Sequence, residues 1–407
     1  MSLGQILAAL ISLAAIFSYI NHRFVKLPGV IGLMLMSLCL SLLIILLDWL
    51  GLEMVGTAER MVKGIDFDDT LLHGMLGFLL FAGALHVNLS DLSQQKWVIL
   101  LMATFGIMLS TLMVGFASWW LFNWLGLNIS FIYCLLFGAL ISPTDPIAVM
   151  GILKKVGVPK SLETKITGES LFNDGIGVVI FLVLLGLVSG DGKIDPGHVA
   201  MLFVTEAIGG ILFGLVIGAI AFYMLRSVNQ YQVEILTTLG LVMGGYSLAE
   251  VIHVSAPIAI VVAGLMIGNH GRVLAMSDHT REHVDTFWEL VDEILNAVLF
   301  VMIGLEMLIL TLADGYIVAG LLMIPIVLLA RFLSVGLPVS IMRFFRPFTP
   351  HAITIMTWGG LRGGISVALA LSLPAGRESE LILLVTYIIV IFSIMVQGLS
   401  LGKVIRK

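Results

Sequence analysis

Ser142-Pro143-Thr144-Asp145-Pro146 interrupts an apolar run that otherwise extends over residues 129–153. The run is long enough to cross a bilayer as a helix. Two prolines and an aspartate in its middle deny it a continuous backbone ladder. Irregular backbone at membrane depth is tolerated only where it is buried in protein or lines a cavity. This one pentapeptide therefore asks for a polytopic membrane protein with an internal polar site.

The rest of the chain agrees. Of 407 residues, 59% are hydrophobic and only 12% charged, with a mean hydropathy of +1.10. Soluble domains carry about 25% charged residues, so most of this surface is expected to face lipid. The net charge of −5 and the scattered Lys and Arg exclude a nucleic-acid binder. Cys39 and Cys134 sit inside apolar runs and read as small buried hydrophobes, not as a disulfide. Residues 3–20 lack a basic leader, and Arg23 and Lys26 follow them, so the first segment reads as a retained helix.

Thirteen apolar runs can be read: about 3–20, 28–49, 70–90, 97–124, 129–153, 161–189, 199–225, 231–252, 256–269, 285–312, 316–342, 350–373 and 381–402. With the N-terminus outside, the outer loops hold only Arg60, Lys63, Lys193 and Arg377. Arg331 and Arg362 fall within spans, and the rest of the 21 Lys and Arg lie on the cytoplasmic side, as does the C-terminus. One missed span would invert that bias. No soluble regulatory domain is expected at either end.

This topology makes runs 1–6 and 8–13 inverted copies, about 1–190 and 231–402, joined by run 7 at 199–225. Run 5 then corresponds to run 12, which is broken by Gly359-Gly360-Leu361-Arg362-Gly363-Gly364. Paired interrupted helices in corresponding positions mark a transporter binding site. The expected fold is all-α, about thirteen transmembrane helices in inverted six-helix repeats, with runs 5 and 12 discontinuous and crossing.

Run 6 carries Gly168-Glu169-Ser170-Leu171-Phe172-Asn173-Asp174-Gly175. A carboxylate at the depth of Asp174 costs several kcal/mol unless paired, hydrated or protonated. Its functional reading is a group that holds H⁺ and a cation in turn; its structural reading is a partner for a buried base. Ser170 shares its helical face. Glu169 and Asn173 share another, since residues five apart differ by about 140°. Arg362 needs a buried anion: Glu169 is the first choice, with Asn173 hydrogen-bonded to the pair, and Asp174 is the alternative. Asp145 is expected to neutralise the N-terminal end of a half-helix from the partner break, or merely to cap a half-helix; Thr144 offers oxygen to a cation. Arg331 is expected to snorkel or meet a helix end, and Glu234, Glu250 and Glu289 to lie in the interface.

The three motifs together, in this order, resemble the NhaP/NHE-type monovalent cation:proton antiporters over essentially the whole chain. The resemblance implies a thirteen-helix fold with a six-helix core domain and a dimerisation domain, a homodimer in the cell membrane, and elevator-type alternation. It implies no cofactor beyond the transported Na⁺ (or Li⁺) and H⁺. Asp174 would be the carrier, and Thr144, Asp145 and Ser170 would join it in the Na⁺ site. Glu169 and Arg362 would be the buried ion pair, and Asn173-Asp174 resembles the electroneutral one-for-one branch. One departure stands out: Ala82 occupies a position where archaeal relatives often carry a glutamate. A K⁺/H⁺ exchanger of the same architecture is the nearest rival, followed by a cation channel, a sensor, and a hydrolase built on Asp145 and Asp174.

Overall fold

The computed structural model describes residues 3–52, 55–56, 62, 64, 67–145, 149–150, 153, 158–189, 196–310, 314–344 and 348–406. Pro146, most of the second half of run 5 with Lys154 and Lys155, and the loop charges Arg60, Lys63, Lys193, Arg346 and Lys407 lie outside the described residues.

All assigned elements are helical among the described residues. They are α1 (Leu3–Ile20), α2 (Gly29–Leu47), α3 (Phe67–Leu85), α4 (Leu89–Trp124), α5 (Phe131–Ile141), α6 (Lys160–Ser189), α7 (Pro196–Ser227) and α8 (Tyr231–Val251). There follow α9 (Ala256–Gly271), α10 (Asp278–Glu306), α11 (Asp314–Met342), α12 (Ala352–Trp358), α13 (Gly364–Leu371) and α14 (Arg377–Ile405). Eight helices among the described residues are long and apolar enough to cross a membrane, and α5 and α9 are shorter apolar helices. The chain is a multi-pass membrane protein. Large apolar side chains such as Trp120, Leu212, Val216 and Ile220 are exposed on its surface, as a lipid-facing exterior requires.

Lipid gives apolar side chains little reason to prefer one another, so helices associate by close backbone approach and internal hydrogen bonds. The α7–α9 contact shows the first device. Gly210, Gly214 and Gly218 recur every four residues, and a methyl group on Gly214 would come within 2.9 Å of the Ala259 Cα. The α2–α10 contact shows the second: Ser41 Oγ donates to the Gly304 carbonyl at 2.8 Å, and Ser37 Oγ to that of Phe300 at 3.3 Å. Tyr246 on α8 donates to the Leu72 carbonyl on α3 at 2.6 Å, and Trp288 on α10 to Thr238 on α8 at 3.0 Å.

One apolar cluster joins α4, α5, α6, α11, α13 and α14. Another joins α3, α7, α8, α9 and α10. A third links α1 and α2 to α10, α13 and α14. The interrupted segments lie among them.

Glu234 is fully buried within the protein, where α10 packs against α8. One expectation needs correction. Cys134 is buried as expected, but Cys39 is exposed; both are free thiols, and α2 turns Cys39 outward.

Candidate functional site

α5 ends at Ile141, and Ser142 to Asp145 leave the helix; Val149, Met150 and Leu153 are helical again. In the other segment, Gly359 to Gly363 separate α12 from α13. The two breaks meet. Asp145 N–H donates to the Leu361 carbonyl at 2.8 Å.

Each break answers the other's helix ends. Arg362 reaches the C-terminal end of α5 and donates to the carbonyls of Ser142 and of Pro143, the latter at 2.8 Å. These are the groups a terminated helix leaves without partners, at the negative end of its dipole. Gly363 precedes α13, and a side chain there would run into the Asp145 carboxyl group. Asp145 therefore stands at the positive end of α13. The Arg362 backbone N–H is itself held by Ser393 Oγ at 2.9 Å.

The buried ion pair is different from the expected one. Glu169 does not pair with Arg362. It makes a two-pronged bridge with Arg331 of α11, whose Nη1 donates to Oε1 and whose Nη2 donates to Oε2 at 3.0 Å. Arg362 has its compensation in helix-end carbonyls and needs no carboxylate. Arg331 has no such end within α11 and takes Glu169, with a further bond to the Met356 carbonyl at 3.4 Å. A methyl on Gly360 would sit 2.6 Å from the Arg331 Nε, so this part of the second break must stay bare for the guanidinium to pass.

Asn173 also has another partner than expected. Its Nδ2 donates to Thr144 Oγ1 at 3.0 Å, and its Oδ1 accepts from Thr144 N–H at 3.3 Å. Thr144 Oγ1 lies 3.0 Å from Ser170 Oγ. Thr144, Ser170 and Asn173 are all buried, so α6 and the first break share one polar knot. Ser142 extends it toward α4 through Ser110 Oγ at 2.8 Å.

Asp174 is 6% exposed and makes no hydrogen bond or ion pair among the described residues. It lines a cavity of about 900 Å³ together with Asp145. The cavity runs from there to the N-terminal ends of α4 and α6, at Asp91, Lys160 and Glu163. Ala82 and His86 of α3 and Glu289, Asp292 and Asn296 of α10 also line it. Lys160, its one Lys or Arg among the described residues, is bridged to Asp91 at 2.8 Å.

The structure thus brings Asp174, Asp145, Thr144, Ser170 and Asn173 into one neighbourhood. Glu169 lies on the opposite flank of α6 with Arg331. Sequence reasoning placed Arg331 at mid-span without finding its partner. It did not connect Asp292 or Asn296 with the site; the available signal was the cluster of Glu289, Asp292 and Glu293 near the start of run 10. No group of three or more His, Cys, Asp or Glu is arranged to hold a metal among the described residues. The oxygens are those of hydroxyls, an amide and two carboxylates, suited to a hard cation in transit.

Residues 10–407 match the family described as "Sodium/hydrogen exchanger, transmembrane". The chain is 51% identical to the Na⁺/H⁺ antiporter NhaP of Pseudomonas aeruginosa, covering 99% of this chain and 96% of that one. It is 38% identical to the Na⁺/H⁺ antiporter NhaH of Halobacillus dabanensis, covering 95% and 93%. Among solved structures, the sodium proton antiporter MjNhaP1 of Methanocaldococcus jannaschii at pH 8 superposes with a TM-score of 0.77 at 20% identity, over 100% of this chain and 99% of that chain.

Proposed function

Because the chain belongs to the sodium/hydrogen exchanger family, we propose that it exchanges Na⁺ (or Li⁺) for H⁺ across the cell membrane, with Asp174 as the shared carrier. The observation that carries this reading is the Asp174 carboxylate itself: buried, without a partner among the described residues, and open to a cavity.

Around the breaks, the charged groups are Asp145, Glu169, Asp174, Arg331 and Arg362. With all five ionised, one negative charge is in excess. A proton on Asp174 or a monovalent cation beside it removes that excess. An empty, ionised Asp174 would carry a desolvation cost of several kcal/mol through the membrane. Only the loaded forms cross, and obligatory exchange follows. One Na⁺ for one H⁺ moves no net charge, so the membrane potential, worth about 2.3 kcal/mol per charge per 100 mV, does not drive the cycle.

Asp174, Ser170, Thr144 and Asp145 supply the oxygens for Na⁺, and Asn173 holds Thr144 in place for them. The Arg362 and Asp145 contacts let an unwound backbone persist at this depth. The Glu169–Arg331 bridge ties α6 to α11, so the site moves as one body in an elevator-type alternation. The wider plan is thirteen spans with the N-terminus outside, inverted repeats about 1–190 and 231–402 joined by 199–225, and a homodimer.

The test is exchange in proteoliposomes. Internal pH is followed after addition of Na⁺, Li⁺ or K⁺, with and without a valinomycin clamp, for the wild type and Asp174→Asn. A Na⁺-dependent pH change that ignores the clamp and vanishes in the variant is expected. A response to K⁺ alone changes the substrate. No coupled proton movement with any ion overturns the reading.

A further inference from the structure

We infer that Asp292 and Asn296 of α10 form a staging site for a partly dehydrated monovalent cation on its way to Asp174. The inference rests on the antiport reading above.

Both residues line the cavity that Asp145 and Asp174 reach. They are one helical turn apart and share a face. Asn296 is 3% exposed. Its Nδ2 donates to the Asp292 backbone carbonyl at 2.7 Å and to Asp292 Oδ1 at 3.1 Å. Two acceptors on one side fix the amide: turned over, its oxygen would face both of them. The Asn296 Oδ1 is therefore committed to the other side, where it is buried with no partner among the described residues.

A buried acceptor without a donor is unfavourable, because it has given up its water for nothing. Here it stands beside a carboxylate, in a cavity wall whose Lys160 is already held by Asp91. Asp292 Oδ1 is taken by the Asn296 amide, which leaves its other oxygen and the Asn296 Oδ1 without a donor among the described residues; a carboxylate oxygen and an amide oxygen are what a Na⁺-sized cation takes as ligands. The negative charge of Asp145 acts on Asp292 and also on Asp174, so the three carboxylates lie along one electrostatically linked path. Glu289 and Glu293 face the same cavity and concentrate cations ahead of the pair.

Removing one carboxylate from such a path lowers the local cation concentration. Asp292→Asn should therefore raise the Na⁺ KM about tenfold and leave kcat within about twofold, because Asp174 is untouched. Asn296→Ala should move KM the same way, and Asp292→Glu should restore it.

The decisive measurement uses thallium(I) as the probe. Crystals of the Asp174→Asn chain are soaked in Tl⁺, so that the pair is read without the carrier. Anomalous density between Asp292 and Asn296, removed by Asp292→Asn, supports the staging site. Absence of density there overturns it, whether or not the wild type exchanges Na⁺. A KM unchanged in Asp292→Asn overturns it as well, as does a loss of kcat together with thermal stability, which marks a structural pair. Failure of wild-type exchange would count against the antiport reading alone.

Discussion

The bridge between Glu169 and Arg331 can be tested against the pairing the sequence suggested. Glu169 is 1% and Arg331 8% exposed, so removing either partner leaves a buried charge uncompensated. That costs about 3–5 kcal/mol. Arg331→Ala and Glu169→Gln should each destabilise by that amount, and Arg331→Lys, which keeps the charge but loses the two-pronged fit, by about half. Arg362→Ala also removes charge-assisted bonds to Ser142 and Pro143, each worth about 1.5–3 kcal/mol. Single substitutions therefore do not distinguish the two arginines; a double-mutant cycle does. Glu169→Gln with Arg331→Ala should cost far less than the sum, with a coupling of about 2–3 kcal/mol. Glu169→Gln with Arg362→Ala should be additive to within about 1 kcal/mol, because those side chains interact only through the field. The assay is reversible unfolding in mixed micelles, giving free energies for the wild type, four single and two double variants. A larger coupling of Glu169 to Arg362 than to Arg331 would refute the reasoning.

Asp174→Asn should abolish exchange while unfolding at or above the wild-type temperature, since it removes a buried charge that nothing among the described residues compensates; thermal melts in detergent check this. Thr144→Val deletes the acceptor for Asn173 and the contact with Ser170, and should raise the Na⁺ KM by about tenfold, the equivalent of about 1.4 kcal/mol, as read from liposome kinetics. If H⁺ and Na⁺ compete for Asp174, the protonated carboxyl binds no Na⁺. Below its pKa the apparent Na⁺ KM should then rise toward about tenfold per pH unit, and a flat KM from pH 5 to 9 would sink one-site competition. Gly214→Leu overpacks the α7–α9 contact, where the Ala259 backbone leaves no space. It should cost about 1–3 kcal/mol without changing the Na⁺ KM.

Much of the architecture was legible in the sequence, because lipid imposes a coarse rule. A span must be apolar for about twenty residues, and a charge within one needs a reason. Those rules located the helices, both interruptions, and Asp174, Asp145 and Thr144. Helical periodicity also separated the face of Glu169 from that of Asp174. What periodicity cannot supply is the partner across the interface. Arg331 and Arg362 were both mid-span cations, and nothing in one dimension said which helix would turn which guanidinium toward Glu169. The fold decided it. The breaks meet, Arg362 finds the open carbonyls at the end of α5, and Arg331 is left facing Glu169. Asn173 likewise went to Thr144 because the first break packs against α6. Asp292 and Asn296 drew no functional reading from the sequence; the packing of α10 brings them to the cavity wall. The sequence by itself marked which segments are apolar enough to cross the membrane and which residues are too costly to be there without purpose, since both follow from transfer free energy residue by residue. Only the tertiary structure settled who compensates whom, because that depends on the rotation and depth of each helix against its neighbours.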